Sequence, residues 1–465
     1  MPTKRVVLAE YFTVEDRTLL FIVRNDFDEP KVIEIPVGTE AIQEFVIKHF
    51  QQEIQEEKNA EGQVVKRTVV RTTGNKVRNL DEVAYQSFFE PFVTPLVSNS
   101  PKGDLVTEKD DIIWLVPHNF LHYLPLHALK VEGCYLIERN PVCYTPSASV
   151  MQYCYGKRKE RRENALVLGI SDGNPPLPQA REEALMVAKL FNTEPYLNER
   201  ATKSLVKDKL IQERESFDVL HFCCHGRFRQ DDALKSCIVL APEGEDKDDD
   251  EQWKLTAEEI FSLQMKADLV TLSACETGIN ENRPGDELIG LTRALIYAGT
   301  PSVIVSLWEV EDLSTGLLMQ QFYQTFRRPA AEDSRQFVTK AEALQAAQLY
   351  VKNLPATELI AYCNQRLAEC TQQEDTQLII RFLKARANIE ILAGDLEVAI
   401  TSYQNIQKII GTLTNNTDRG LANEVAEKLD ELEFAKEAEP PIDYDFKPFD
   451  KLFNWAPFVL VGDWK

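Results

Sequence analysis

The chain has no G-x-x-x-x-G-K-[ST] phosphate loop and no G-x-G-x-x-G after a strand, so nucleotide-dependent enzyme classes find no support in it. No apolar run approaches the roughly 18–20 residues that span a bilayer. Nor does a signal-peptide-like apolar segment follow Met1, since Val6 onward alternates as a strand does. Cysteine is sparse: nine residues in 465, an odd count with Cys223 and Cys224 adjacent. That suits reduced thiols better than a disulfide framework. Positive charge is also short, 52 Lys and Arg against 74 Asp and Glu, for a net charge of −22. Such a surface repels nucleic-acid phosphates. The expectation is a cytoplasmic chain with neither membrane nor direct nucleic-acid contact.

What is present is ordinary globular material, 44% hydrophobic and 27% charged, with length for two or three domains. Residues 5–24 read as two strands, and 39–57 and 81–97 carry helical spacing. Ile112 to Val116 is a buried strand, 128–144 is hairpin-like, and Ser147 caps a helix. The charged run Lys157 to Arg162 reads as a solvated connector. Beyond it, strands at 165–170, 217–223, 238–240, 267–272 and 302–307 alternate with helices at 180–191, 203–214, 256–263, 286–298 and 314–327. The strands are almost continuously apolar, as in a parallel sheet buried on both faces. Residues 335–440 read as helix throughout. Ala387, Gly394-Asp395, Ala399 and Tyr403 match one tetratricopeptide-like hairpin, which cannot bury its own faces and so is expected to pack on the main domain. Phe458 to Gly462 is a closing strand.

Two stretches carry chemistry: His221-Phe222-Cys223-Cys224-His225-Gly226 and Leu272-Ser273-Ala274-Cys275-Glu276-Thr277-Gly278. His225 precedes Cys275 by 50 positions, the order and spacing of caspase-type cysteine peptidases. Each follows a predicted strand, and catalytic groups gather at the carboxyl ends of parallel strands. Neighbouring strands lie about 4.8 Å apart, which lets a base meet a nucleophile. A free thiol is mostly protonated at neutral pH, so an adjacent imidazole has work to do. Gly226 and Gly278 flank the pair where backbone must approach a substrate. Taken singly, His225 and Cys275 each read more simply as structural residues; the pairing favours catalysis. Cys223 and Cys224 read as core thiols, and His221 as at most a neighbour supporting the site.

Other signals are weaker. Gly169-Ile170-Ser171-Asp172-Gly173 fits the nucleophile-elbow pattern, but prolines at 175, 176 and 178 exclude the helix that must follow Ser171. His118, His122 and His127 cluster, yet Pro117 and Pro125 break any helix aligning them and no Cys or carboxylate pair completes a zinc set. No metal or cofactor is therefore expected. Glu243 to Glu251 holds seven acids in nine positions, a solvated loop that could border a cleft. With Asp286, Glu309, Glu311 and Asp312 close to the strand ends in sequence, a basic residue is expected before the cleaved bond of a protein substrate.

The two stretches, together with Ala298-Gly299-Thr300-Pro301 through Trp308, Pro125-Leu126-His127-Ala128-Leu129, Tyr144 to Ser149 and Trp455 to Trp464, resemble the CHAT family, caspase-like domains often found with tetratricopeptide repeats. The resemblance covers most of the chain except roughly 353–445. It implies a caspase-like α/β fold: a mostly parallel sheet with flanking helices, an N-terminal α+β portion and an inserted helical hairpin. The expected division is 1–158 as bracing portion, 159–334 with 445–465 as catalytic domain, and 335–444 as helical segment with insertion. It further implies a cysteine endopeptidase with His225 as acid or base, Cys275 as nucleophile, and the amides of Gly226 and Cys275 as oxyanion donors. An activating protein partner or signal, in bacterial stress or defence, would license it. The rival reading is a non-catalytic scaffold that signals by binding.

Overall fold

The structure is a computed structural model that describes residues 5–58, 65–72, 74–101, 103–159, 161–172, 177–212, 217–227, 233–243, 253–273, 289–308, 310, 312–329, 337–412, 419–436 and 440–465. Among the described residues eleven strands form the main sheet: β1 (Val6–Thr13), β2 (Thr18–Arg24), β3 (Lys31–Ile35), β4 (Ile112–Val116), β5 (Val142–Tyr144), β6 (Ala165–Gly169), β7 (Tyr196–Leu197), β8 (Val219–Cys223), β9 (Leu269–Ser273), β10 (Ser302–Ser306) and β11 (Phe458–Gly462). Their order is β7-β6-β8-β9-β10-β11-β5-β4-β1-β2-β3. Seven of the ten neighbouring pairs are parallel, and only β1–β2, β2–β3 and β10–β11 run antiparallel. This is a mostly parallel α/β arrangement with a mixed N-terminal portion, in line with the sheet that the resemblance implied.

Burial explains why the central strands read as solid apolar runs. Every residue of β4, β6, β8, β9 and β10 is buried. By contrast β3, at one edge, alternates between partly buried and exposed residues up to the buried Ile35, as a strand with one wet face does. Helix Pro178–Phe191 packs over β6 and β8, and helix Asp312–Phe326 packs against that helix. No helix among the described residues is long and apolar enough to cross a membrane.

Two local expectations change. Residues 39–57 are not one helix: the helix stops at His49, and Gln51–Lys58 pairs antiparallel with Val65–Thr72 in a long hairpin. Cross-strand hydrogen bonding to the segment that follows overrides the helical spacing there. The strand near 238–240 stays out of the main sheet; Cys237–Val239 lies between Gly226–Arg227 and Lys254–Thr256 in a separate antiparallel sheet.

The chain divides into two compact units, residues 1–349 with 452–465, and residues 350–451. The second holds more than a hairpin. Helices Ala356–Gln372, Thr376–Leu392, Leu396–Thr412 and Arg419–Lys436 pack in succession, each against the next. Ala387, Ala399 and Tyr403 do lie in its core, with Ile380, Ile406 and Val425. Neighbouring helices thus supply the burial that a lone hairpin lacks. At its base the entering and leaving segments are joined: Ala356 N–H donates to Phe446 O at 2.8 Å, and Lys447 Nζ to Asn353 Oδ1 at 3.0 Å.

Candidate functional site

The parallel pair β8–β9 sets the level of the site. Its register runs Val219 opposite Leu269 to Cys223 opposite Ser273, so both strands end together. On the other side Cys223 pairs with Gly169 of β6, and Cys223 O accepts from Ile170 N–H at 2.9 Å. His225 follows β8 after a single residue and is 6% exposed. Its carbonyl accepts from Val239 N–H at 2.8 Å, and Gly226 pairs with Ile238. The small side sheet therefore pins the backbone at His225 and immediately after it. Cys224, between strand and His225, is fully buried, and burial with the nearby Cys237 pushes its thiol well above the ordinary range. It is a packing thiol.

Cys275, Gly278, Asp286, Glu309 and Glu311 lie outside the described residues, as does the acidic run apart from Glu243. Asp312 opens the helix Asp312–Phe326. Glu243 accepts from Ser204, whose hydroxyl lies 2.6 Å from it.

Below the strand ends lies a buried polar group. Gly169 lets helix Pro178–Phe191 come close to β6: a Cβ there would stand 2.8 Å from both Ala180 O and Ala184 Cβ. The close approach carries Glu183 over β8. Glu183 Oε1 is 3.1 Å from His221 Nε2, and Cys223 Sγ is 2.9 Å from the same nitrogen. The other ring nitrogen, Nδ1, is 3.0 Å from the Tyr323 hydroxyl, which donates to Thr271 Oγ1 at 2.8 Å. Burial holds the Tyr323 phenol well above its usual pKa, hence protonated. Glu183 is 38 positions upstream on a helix, so no local motif could have joined it to His221.

The three upstream histidines do not converge. His118 Nδ1 is 2.8 Å from the Thr13 hydroxyl and accepts from Thr13 N–H. His127 is held between the Tyr144 hydroxyl at 2.8 Å and Gln348 Nε2 at 3.1 Å, and burial lowers its pKa to about 3. His122 lines a small apolar cavity with Tyr144, Val305 and Val459. Ser171 is tied up too: its hydroxyl, with a single proton to share, lies 2.8 Å from Asp172 Oδ1 and 3.0 Å from Asn198 Oδ1.

A family model described as CHAT domain matches residues 80–463. Tetratricopeptide repeat protein 28 of Mus musculus is 26% identical over 263 residues, covering 45% of this chain and 10% of that protein. The Homo sapiens protein of the same name is 27% identical over 235 residues, covering 43% and 9%. The chain thus spans about a tenth of the length of these relatives. Among solved structures, the Saccharomyces cerevisiae separase–securin complex superposes with a TM-score of 0.43 at 10% identity, over 74% of this chain and 29% of that one. The Arg specific cysteine proteinase gingipain R gives 0.35 at 11%, over 60% and 65%.

Proposed function

The chain belongs to the CHAT domain family, and on that premise we propose that it is a cysteine endopeptidase working through His225 and Cys275. The observation that carries the reading is the common end of β8 and β9. His225 stands two residues past Cys223, and Cys275 two residues past Ser273. Each residue is only two positions past its strand, a short reach that supports pairing the two.

In this reading His225 takes the thiol proton and the Cys275 thiolate attacks a peptide carbonyl. The amides of Gly226 and Cys275 hold the oxyanion, and His225 returns the proton to the leaving amine. Water then releases the acyl-enzyme. Asp286, Glu309, Glu311 and Asp312 favour a basic residue before the scissile bond. An activating protein partner licenses the enzyme in the cytoplasm, within a bacterial stress or defence circuit.

Labelling by an electrophilic peptide with a basic terminal residue tests the proposal. The chain should be modified at Cys275, with loss of labelling in Cys275→Ala and a large drop in His225→Ala. Equal labelling of all three chains would leave a binding scaffold instead.

A further inference from the structure

We infer that Glu183, His221 and Cys223 form a buried site for a divalent transition-metal ion of the zinc class. Their donor atoms all lie within 4.8 Å of one another. Counting protons shows what the site lacks. The single Tyr323 hydroxyl proton goes to Thr271, so the Tyr323 oxygen accepts from His221 Nδ1–H. In the neutral imidazole that leaves Nε2 with a lone pair, facing a carboxylate oxygen and a sulfur.

A single proton cannot serve all three donor atoms at once. A Cys223 S–H can meet Nε2, but Glu183 Oε1 is then left over, and it is a buried atom with no hydrogen-bond partner. An imidazolium would need its Nε2–H aimed at that oxygen; the two atoms are 3.1 Å apart and make no hydrogen bond. A metal ion accepts all three electron pairs at once.

The donor chemistry fits. Imidazole nitrogen, thiolate and carboxylate are the usual zinc ligands, three of them leaving the fourth tetrahedral position to water. Tyr323 on the remote ring nitrogen orients the imidazole, as a metal-bound histidine requires. Charge closes as well: a doubly positive ion with one thiolate and one carboxylate is neutral overall. That matters where His221 and Cys223 are 0% and Glu183 only 6% exposed. Binding forms the metal–sulfur bond and releases one proton, from the Cys223 thiol. His221 and Cys223 are part of β8, so the ion would fasten helix Pro178–Phe191 to the strand that leads to His225.

The test uses the full chain carrying Cys275→Ala, so that the reactive thiol cannot hold metal itself. Produced with zinc supplied and passed over a weak chelator, it should retain one zinc per chain by mass spectrometry of the elements. Cys223→Ser and Glu183→Gln should each reduce that content at least tenfold. Cobalt exchanged into the parent should show thiolate-to-cobalt charge-transfer absorption, absent in Cys223→Ser. A folded parent free of metal overturns the inference, and so does zinc content unchanged by Cys223→Ser. If the variants do not fold, the parent's metal count and cobalt spectrum decide. No activity is read, so failure of the peptidase proposal leaves this outcome intact.

Discussion

Cys223 and Ser273 stand directly opposite each other as the final residues of neighbouring parallel strands. The proposed base and nucleophile are each two positions further on, so their meeting depends on this register. Inserting one glycine between Ser273 and Ala274 displaces Cys275 along its segment without touching β9. Because small misplacements in a reactive pair cost about 100-fold, labelling by the electrophilic peptide should fall by at least that factor. An unchanged rate in a folded insertion variant would contradict the proposed dyad.

Gly169 has no room for a side chain beneath helix Pro178–Phe191. Gly169→Val should therefore push Ala180 and Ala184 outward and cost roughly 1–3 kcal/mol through overpacking. Urea denaturation of the two chains measures it, and the shift of Glu183 away from His221 should lower metal content in the same variant.

A buried charge cluster joins the closing strand's end to the rest of its unit. Lys340, fully buried, is 2.8 Å from Asp268 and 3.4 Å from Asp463, and Arg158 Nε donates to Asp463 at 2.8 Å. Asp463→Ala leaves two cations short of their counter-charge. Removing one partner of such a cluster costs about 3–5 kcal/mol, so the midpoint of urea denaturation should drop accordingly. A loss of under 1 kcal/mol would mean that the cluster is not held together in solution.

His127 gives a pH signature. Its folded pKa of about 3 is below the ordinary value of roughly 6.5, so the unfolded chain binds the proton more readily. Stability from this group is complete above about pH 6.5 and drains away as pH falls toward 3. Between pH 7 and 5 the loss should be about 2 kcal/mol. His118, also lowered by burial, adds in the same direction. Denaturation at the two pH values should show a smaller difference in His127→Gln than in the parent.

Much of this architecture could be read from residue patterns. The strands β4, β6, β8, β9 and β10 announced themselves because burial on both faces demands unbroken apolar runs. The place of His225 just past a strand end was legible because it follows such a run and precedes a glycine. Residues 50–57 misled, since their helical spacing gave no hint of a pairing with Val65–Thr72. The separate sheet around Cys237–Val239 was equally hidden, because antiparallel pairing of three short strands leaves no local periodicity. Glu183 stayed invisible for a different reason. Its importance comes from tertiary packing, a carboxylate brought over β8 by the absence of a side chain at Gly169.

The antiparallel pair β10–β11 joins Ser302 to Gly462, segments separated by the whole helical unit. Closing so long a loop is slow for an unstructured chain, because its ends rarely meet. The hydrogen bonds at the base of the helical unit change that kinetic problem. Once Ala356 and Phe446 are joined, the intervening helices no longer count as loop, and what remains to be closed shrinks to residues 307–355 and 447–457. Were the helical unit to form first, it would act as a folding splint that shortens the loop β11 must close to reach β10. Its replacement by a flexible linker of equal length should slow refolding more than it lowers final stability.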